Sequence, residues 1–452
     1  MKRAPLMLGV SGLRGIVGQS LTEEVAWRYG RAIGRTLLEW GASRRLLIGR
    51  DSRPSGPQLA TGLARGLADE GIEVLDLEIA STPAVGLAAK RQNSYAIVLT
   101  ASHNPTPWNG VKLIRSDGSA PTAGQASQVV EAFKALSDEK PSGDSGHSVL
   151  KQAGIDAASD HASAVAGLLN EQMIQSRRFT VVVDSVCGAG GPEVRQLLGR
   201  LGVKLIHLHS EPTGRFPHEP EPLEQNLTEL ADAVRETGAD AGFAQDPDAD
   251  RLAIVDNAGR YIGEECTLAL CARHRLREGD LAVANLSTSR MIDDLAARVG
   301  ARVLRSAVGE ANVAEVMREN NATIGGEGNG GVIDPRLSHI RDSLGSMGLI
   351  LELMATTGKT LAELRDALPL YTMQKEKVPR PDEPFEAMVE KLLETFAGSR
   401  VDQTDGVRFD LDGGWIHVRP SNTEPILRFI AEAPSREAAS ALTARARQAL
   451  RC

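Results

Sequence analysis

"RLLIGRDSRPSGPQLATGLARGLADEGIEVLDL" (residues 45–77) passes from an apolar run of strand length, through an Ala/Leu/Arg-rich segment of helical period, into a second apolar run. A strand, a helix that covers it and a further strand make the unit from which α/β proteins are built. The alternation continues into "TPAVGLAAKR" (82–91) and returns as "TVVVDS" (180–185) followed by "PEVRQLLGRLG" (192–202). Val181 to Val183 have no polar residue alternating with them, which suits a strand covered on both faces. "DAGFAQDPDADRLAIVD" (240–256) and "LAVANLS" with "SRMIDDLAARVG" (281–300) repeat the theme without a fixed period. The fold class expected is α/β.

The tail changes character after "LPLYTMQKEKVPRPDEP" (368–384). There the pattern predicts a helix at "FEAMVEKLLETF", a hairpin joined through "DGG", a strand "ILRFIAEA" and a closing helix, a small α+β unit. The polar stretch "SDEKPSGDSGHS" (137–148) reads as a surface loop or linker near an earlier boundary.

At 452 residues the chain exceeds one core, and size alone suggests about three domains. Hydrophobic residues are 42% and aromatics only 4%, an ordinary globular balance with an aliphatic core. A net charge of -8 argues against a nucleic-acid partner, and an anionic small molecule would need a focused site. Cys187, Cys266, Cys271 and Cys452 show no CxxC spacing, so a reducing compartment is expected. The N-terminal apolar stretch is too short for a signal peptide and no run reaches membrane length, so no membrane partner and a cytoplasmic location are expected.

Four polar stretches carry candidate chemistry. "TASHNPTPWNG" (100–110) follows the apolar "YAIVL" and exposes Ser102 where a strand ends, on a loop stiffened by Pro105 and Pro107. A plain turn is the alternative. A hydrolytic triad is disfavoured, because adjacent side chains of extended backbone point apart, leaving His103 badly placed as a base for Ser102, and no G-x-S-x-G elbow is present. The "GDSG" at 143–146 lies in the polar linker and reads as coincidence.

"DPDADR" places Asp246, Asp248 and Asp250 at every second position before Arg251. Three crowded carboxylates call for a cation, and all-oxygen ligands favour Mg²⁺, Ca²⁺ or Mn²⁺. An EF-hand is excluded by Arg251 and Asn257 where that loop needs Gly and Glu. "RPSNTEPILRF" offers Arg419, Ser421, Asn422, Thr423 and Arg428, the donors a phosphate dianion asks for. "GGEGNGGVIDP" matches G-x-G-x-x-G but runs into no helix, so Glu327 and Asn329 suit polyol hydroxyls better than the glycines suit a dinucleotide. His207, His209 and His218 lack an evident third ligand and read as structural.

Taken in order, "SGLRG", "TASHNP" with "NGVK", "DPDADR", "GGEGNGG" and "RPSNTEP" resemble the α-D-phosphohexomutase superfamily from near residue 9 to the C-terminus. The sugar loop looks most like the phosphoglucosamine mutase and phosphomannomutase branch of archaea and some bacteria. The resemblance implies four domains around a central cleft: three mixed α/β domains at 1–150, 151–256 and 257–370, then an α+β domain at 371–452. It implies interconversion of hexose 6-phosphate and hexose 1-phosphate, with phosphoglucosamine mutase first and phosphomannomutase/phosphoglucomutase as the alternative. Ser102 would be a phosphoserine that holds one Mg²⁺ with Asp246, Asp248 and Asp250. Arg14, His103 and Lys112 would belong to the reaction centre. Arg251, Glu327, Asn329 and the Arg419–Arg428 loop residues would bind substrate, and a hexose 1,6-bisphosphate would serve as activator. Many relatives have a His where this chain has Gly331, which leaves the general base to His103 or Lys112, with His339 a further candidate. A non-catalytic sugar-phosphate-binding regulatory relative and a metal-dependent phosphatase are the rival classes. Either a monomer or a homodimer fits.

Overall fold

The computed structural model describes residues 6–10, 12–137, 139–141, 150–421 and 426–452, and in it one strand arrangement occurs three times. Strands Arg45–Arg50, Glu73–Ile79, Ala96–Leu99 and Trp108–Ile114 lie side by side in the order fourth, third, first, second. Thr180–Asp184, Lys204–Leu208, Ala241–Gln245 and Leu252–Asp256 repeat that order, as do Leu281–Asn285, Arg302–Ser306, Ile324–Glu327 and Gly331–Ile333. In each set the first three strands are parallel and the fourth runs antiparallel to the third. The repetition is therefore one of topology, which a search for a fixed sequence period does not see.

That topology decides where chemistry sits. Parallel neighbours need a crossover helix, whereas the antiparallel third and fourth strands are joined by a loop alone. The loops at this junction are 100–107, 246–251 and 328–330, three of the polar stretches singled out above. Each leaves the C-terminal end of a buried parallel strand, the edge at which open α/β sheets bind ligands.

The first sheet is widened by Met7–Gly9 and Gly12–Ile16 on one side and by Leu150–Gln152 on the other, so the position expected as a boundary, residue 150, lies inside a paired strand. Most of the expected linker, with "GDSG", lies outside the described residues. Helix Ser343–Thr357 is apolar nearly all round and buried. A helix without a polar face must be enclosed, and this one merges the cores of the second and third units into one cluster. The fourth sheet is wholly antiparallel, and its hairpin closes at the Leu411–Gly414 pair, as expected from "DGG". Helices Phe385–Thr395 and Arg436–Leu450 help enclose its separate core around Phe396, Phe409 and Phe429. Its other face meets the third unit through polar contacts, among them Ser287 Oγ to His417 Nδ1 at 2.9 Å. All four cysteines are free. No helix among the described residues is long and apolar enough to cross a membrane.

Candidate active site

Ser102 is buried and holds a left-handed backbone, φ 51°, which costs strain in a non-glycine residue unless the surroundings enforce it. Arg53 supplies much of that enforcement. Its guanidinium donates to the carbonyl of Ser102 at 2.9 Å, to that of Asn104, and through Nε to that of Trp108 at 2.8 Å, while Nη1 pairs with Asp51 at 2.8 Å. The Ser102 amide donates to Thr100 Oγ1 at 2.8 Å. The hydroxyl, thus aimed, donates to Asp246 Oδ2 at 2.7 Å.

Asp246, Asp248 and Asp250 are all fully buried and bring one oxygen each within 4.8 Å of one another. Ala249 at φ 55° turns the loop so that alternate side chains converge. Asp246 Oδ1 accepts the amides of Asp250 and Arg251, both at 3.1 Å. Asp248 Oδ2 accepts from Thr82 Oγ1 and from Lys112 Nζ, both at 2.7 Å. Asp250 Oδ2 accepts from Arg341 Nη2 at 2.5 Å. The remaining oxygens, Asp248 Oδ1 and Asp250 Oδ1, are buried without a hydrogen bond. Buried unpaired carboxylate oxygens are costly, and two of them beside Asp246 and Ser102 fit a hard, oxygen-seeking divalent cation. Burial, then the charges of Asp250 and Asp248, pushes the Asp246 carboxyl well above its ordinary range. Burial pushes Asp248 up too, but Lys112 and hydrogen bonds outweigh it and hold that carboxyl below the usual range.

Cations surround the triplet. Burial pushes the Lys112 ammonium down, yet Asp248 and Asp250 overrule it and the net shift is upward, so Lys112 stays charged. Arg14, on strand Gly12–Ile16 opposite Gly110, has a buried Nε without a hydrogen bond, as does Arg251, whose Nε lies 3.7 Å from Asp250. His103 Nδ1 lies 3.4 Å from Ser102 Oγ. Burial, with Arg251 and Arg14 close by, pushes its pKa down to about 2, so the imidazole is neutral.

Glu327 is buried and already engaged. Oε1 accepts from Asn285 Nδ2 at 2.8 Å and the Gly309 amide at 3.1 Å, and Oε2 from Arg341 Nη1 at 2.7 Å and Asn329 Nδ2 at 3.4 Å. Arg419 and Arg428 stand directly opposite each other on neighbouring strands, and Lys377 stands opposite Arg428 on the next, so three cations form one row. Arg419 pairs with Asp405 at 3.1 Å, and the Asp405 carboxylate also accepts the Val308 amide at 3.0 Å, which turns the row toward the third unit. Ser421 lies at the end of the row's strand; Asn422 and Thr423 lie outside the described residues.

Sequence reading missed Arg53, Thr82, Arg341 and Lys377. Arg53 and Thr82 had a findable signal, since each follows an apolar strand by a few residues as Ser102 does. His339 does not join the cluster: its backbone bridges to Ser119 and its charged neighbours are Asp117, Lys90 and Arg318. The three histidines read as structural have partners of their own, His207 with Ser185 at 2.9 Å, His209 with Glu229 at 3.0 Å and His218 with Asp184 at 2.9 Å.

Comparison with known proteins matches the whole length. Residues 5–140, 159–259 and 264–371 match the phosphoglucomutase/phosphomannomutase alpha/beta/alpha domains I, II and III, and residues 375–449 match the C-terminal domain. The chain is 39% identical to a phosphoglucomutase/phosphomannomutase of Thermococcus kodakarensis, with 96% of each chain covered. It is 35% identical to a probable phosphoglucosamine mutase of Methanococcoides burtonii, over 94% of this chain and 95% of that one. A phosphoglucomutase/phosphomannomutase family protein of Burkholderia thailandensis superposes with a TM-score of 0.84 at 28% identity, over 98% of both chains. Three α/β units of one topology, a fourth with its own core, and these matches from end to end make one statement: the chain belongs to the phosphoglucomutase/phosphomannomutase family and is a phosphohexomutase.

Proposed function

We propose that this enzyme interconverts hexose 6-phosphate and hexose 1-phosphate through a phosphoserine at Ser102, with glucosamine phosphates as the first candidate substrates. The observation that carries the reading is the buried Ser102 hydroxyl 2.7 Å from Asp246, beside two aspartate oxygens that accept no hydrogen bond. Asp246, Asp248, Asp250 and the Ser102 phosphoryl group would hold one Mg²⁺, which supplies neutralisation of the phosphoryl oxygens.

The chain's own residues supply the rest. A sugar hydroxyl oxygen attacks the phosphorus, the bond from phosphorus to Ser102 Oγ breaks, and the hydroxyl proton passes to a base and from it to the departing Ser102 oxygen. Of the two candidates His103 is neutral and Lys112 is charged, so His103 takes the proton and Lys112 balances phosphoryl charge with Arg14 and Arg251. The proton affinity of His103 rises when a phosphate dianion enters beside its cationic neighbours. Arg419, Arg428 and Ser421, with Asn422 and Thr423, grip the phosphate that does not react, and Glu327 and Asn329 read hydroxyls. The bisphosphorylated sugar turns over in the cleft and returns its other phosphoryl group to Ser102. A hexose 1,6-bisphosphate would charge the serine and act as activator. The same site serves glucose and mannose phosphates, a second reading favoured by the name of the Thermococcus relative.

Intact-mass measurement with peptide mapping, after incubation with glucose 1,6-bisphosphate, should find one phosphoryl group on Ser102. Ser102→Ala should abolish turnover across a panel of glucosamine, glucose and mannose phosphates. An unmodified Ser102, or turnover that survives the substitution, would overturn the assignment.

A further inference from the structure

Gly331 follows the sugar loop at a place where a side chain cannot fit: a Cβ there would collide with the Cδ of Arg341 and come 3.0 Å from its Cγ. The space is taken because Arg341 threads over residue 331 into the reaction centre, where its side chain is 9% exposed. Its fork donates to Asp250 Oδ2 at 2.5 Å with one arm and to Glu327 Oε2 at 2.7 Å with the other. Asp250 belongs to the loop between Ala241–Gln245 and Leu252–Asp256, and Glu327 ends strand Ile324–Glu327, so one guanidinium joins the second unit's loop to the third unit's. Glu310 steadies it from behind, accepting the Arg341 amide at 2.8 Å with Nε 3.7 Å away. The arm on Asp250 occupies Oδ2, which Lys112 Nζ also approaches at 3.5 Å, and leaves Oδ1 buried without a hydrogen bond, 3.7 Å from Arg251 Nε.

We propose that Arg341 is a positioning residue that makes Asp250 present a single oxygen to the metal and ties that choice to the orientation of Glu327. The planar fork suits this task, since it holds two carboxylates in fixed directions where a lysine would act as a point charge. Gly331 is part of the same device, because the device needs the room. The inference rests on reading the aspartate triplet as the metal site.

The test separates positioning from scaffolding through metal binding in the absence of sugar. Mn²⁺ is titrated into the full-length protein and followed by electron paramagnetic resonance. Arg341→Met takes the short hydrogen bond from the second Asp250 oxygen, leaving it only Lys112 Nζ at 3.5 Å, and removes a positive charge beside the cage, so Mn²⁺ should bind about tenfold tighter. Turnover of glucosamine 1-phosphate, or of whichever hexose phosphate the panel shows to be turned over, should fall about a hundredfold because the acceptor loses its alignment. Guanidinium ion should reverse both changes. Gly331→Ala keeps the arginine but displaces its stem and should reproduce the same pair of shifts, which keeps the test decisive if Arg341→Met fails to melt cooperatively. Mn²⁺ affinity that falls in step with turnover, or that neither variant alters, overturns this inference while leaving the metal site standing. Absence of Mn²⁺ binding by the wild-type protein overturns the metal site and this inference with it.

Discussion

Replacing Arg53 by Met is the sharpest test of how the Ser102 loop is held. The Arg53 and Asp51 side chains are both 0% exposed and pair at 2.8 Å. Removing one partner of such a pair costs about 3–5 kcal/mol, because the other charge is left in a dry interior. Asp51 limits that cost by taking up a proton: burial already pushes its carboxyl above the ordinary range, and Arg53 is the largest opposing influence. Three carbonyls, those of Ser102, Asn104 and Trp108, also lose their donor, at about 1 kcal/mol or more for each that stays dry. With the pair at the lower end of its range and water reaching one of the three carbonyls, the loss is about 5 kcal/mol, and at about 2–4 °C per kcal/mol the transition of the first unit should fall by about 10–20 °C. Calorimetry reads the transition, and hydrogen exchange at residues 100–107 reads whether the loss is local to the loop. The double variant Arg53→Met with Asp51→Asn should recover part of it, since no buried charge is then left unpaired. A single variant that melts within about 1 kcal/mol of the wild type, or a double variant no more stable than the single, would refute the reasoning.

His161 and the cationic row make two further predictions. His161 is buried between Glu193 Oε2 at 2.5 Å and Asp342 Oδ2 at 2.8 Å, and although burial pushes its pKa down, the two carboxylates raise it to about 10. A histidine raised above its ordinary 6.5 stabilises the fold fully below that pH and loses the contribution as pH climbs toward 10. Urea midpoints should therefore decline between pH 7 and 10, and His161→Gln should flatten that decline; an unchanged slope would sink the assignment. Lys377 opposite Arg428 should add to phosphate attraction, so Lys377→Ala should raise KM about tenfold with kcat nearly unchanged, as expected when a contact is equally strong in ground and transition states. No change in KM at low ionic strength would remove Lys377 from the phosphate site.

Much of the candidate site was legible because its parts are local in sequence. Asp246, Asp248 and Asp250 lie within one loop, and the loop's turn at Ala249 brings every second side chain to one point. Arg419 and Arg428 meet because the hairpin register sets them opposite each other. What escaped were residues whose role exists only through distant partners. Thr82 meets Asp248 across 166 positions and Arg341 meets Asp250 across 91. The place of Thr82 just past an apolar strand hints at a site but not at its partner, and nothing in "SHIRD" announces one. His339 was the converse, a plausible residue type that the fold turns toward Asp117 and Lys90.

By itself the sequence determined the α/β alternation, the order of the polar loops, and the residue types able to bind metal and phosphate, because hydrophobic period and side-chain chemistry are properties of short segments. The tertiary structure decided that the three α/β units share one strand order, so that the corresponding loop of each carries candidate site residues. It also decided that Lys112 stays charged while His103 stays neutral, and that Gly331 makes room for Arg341. Burial, charge neighbours and occupied volume depend on what the rest of the chain brings to a point, and only the packed molecule sets them.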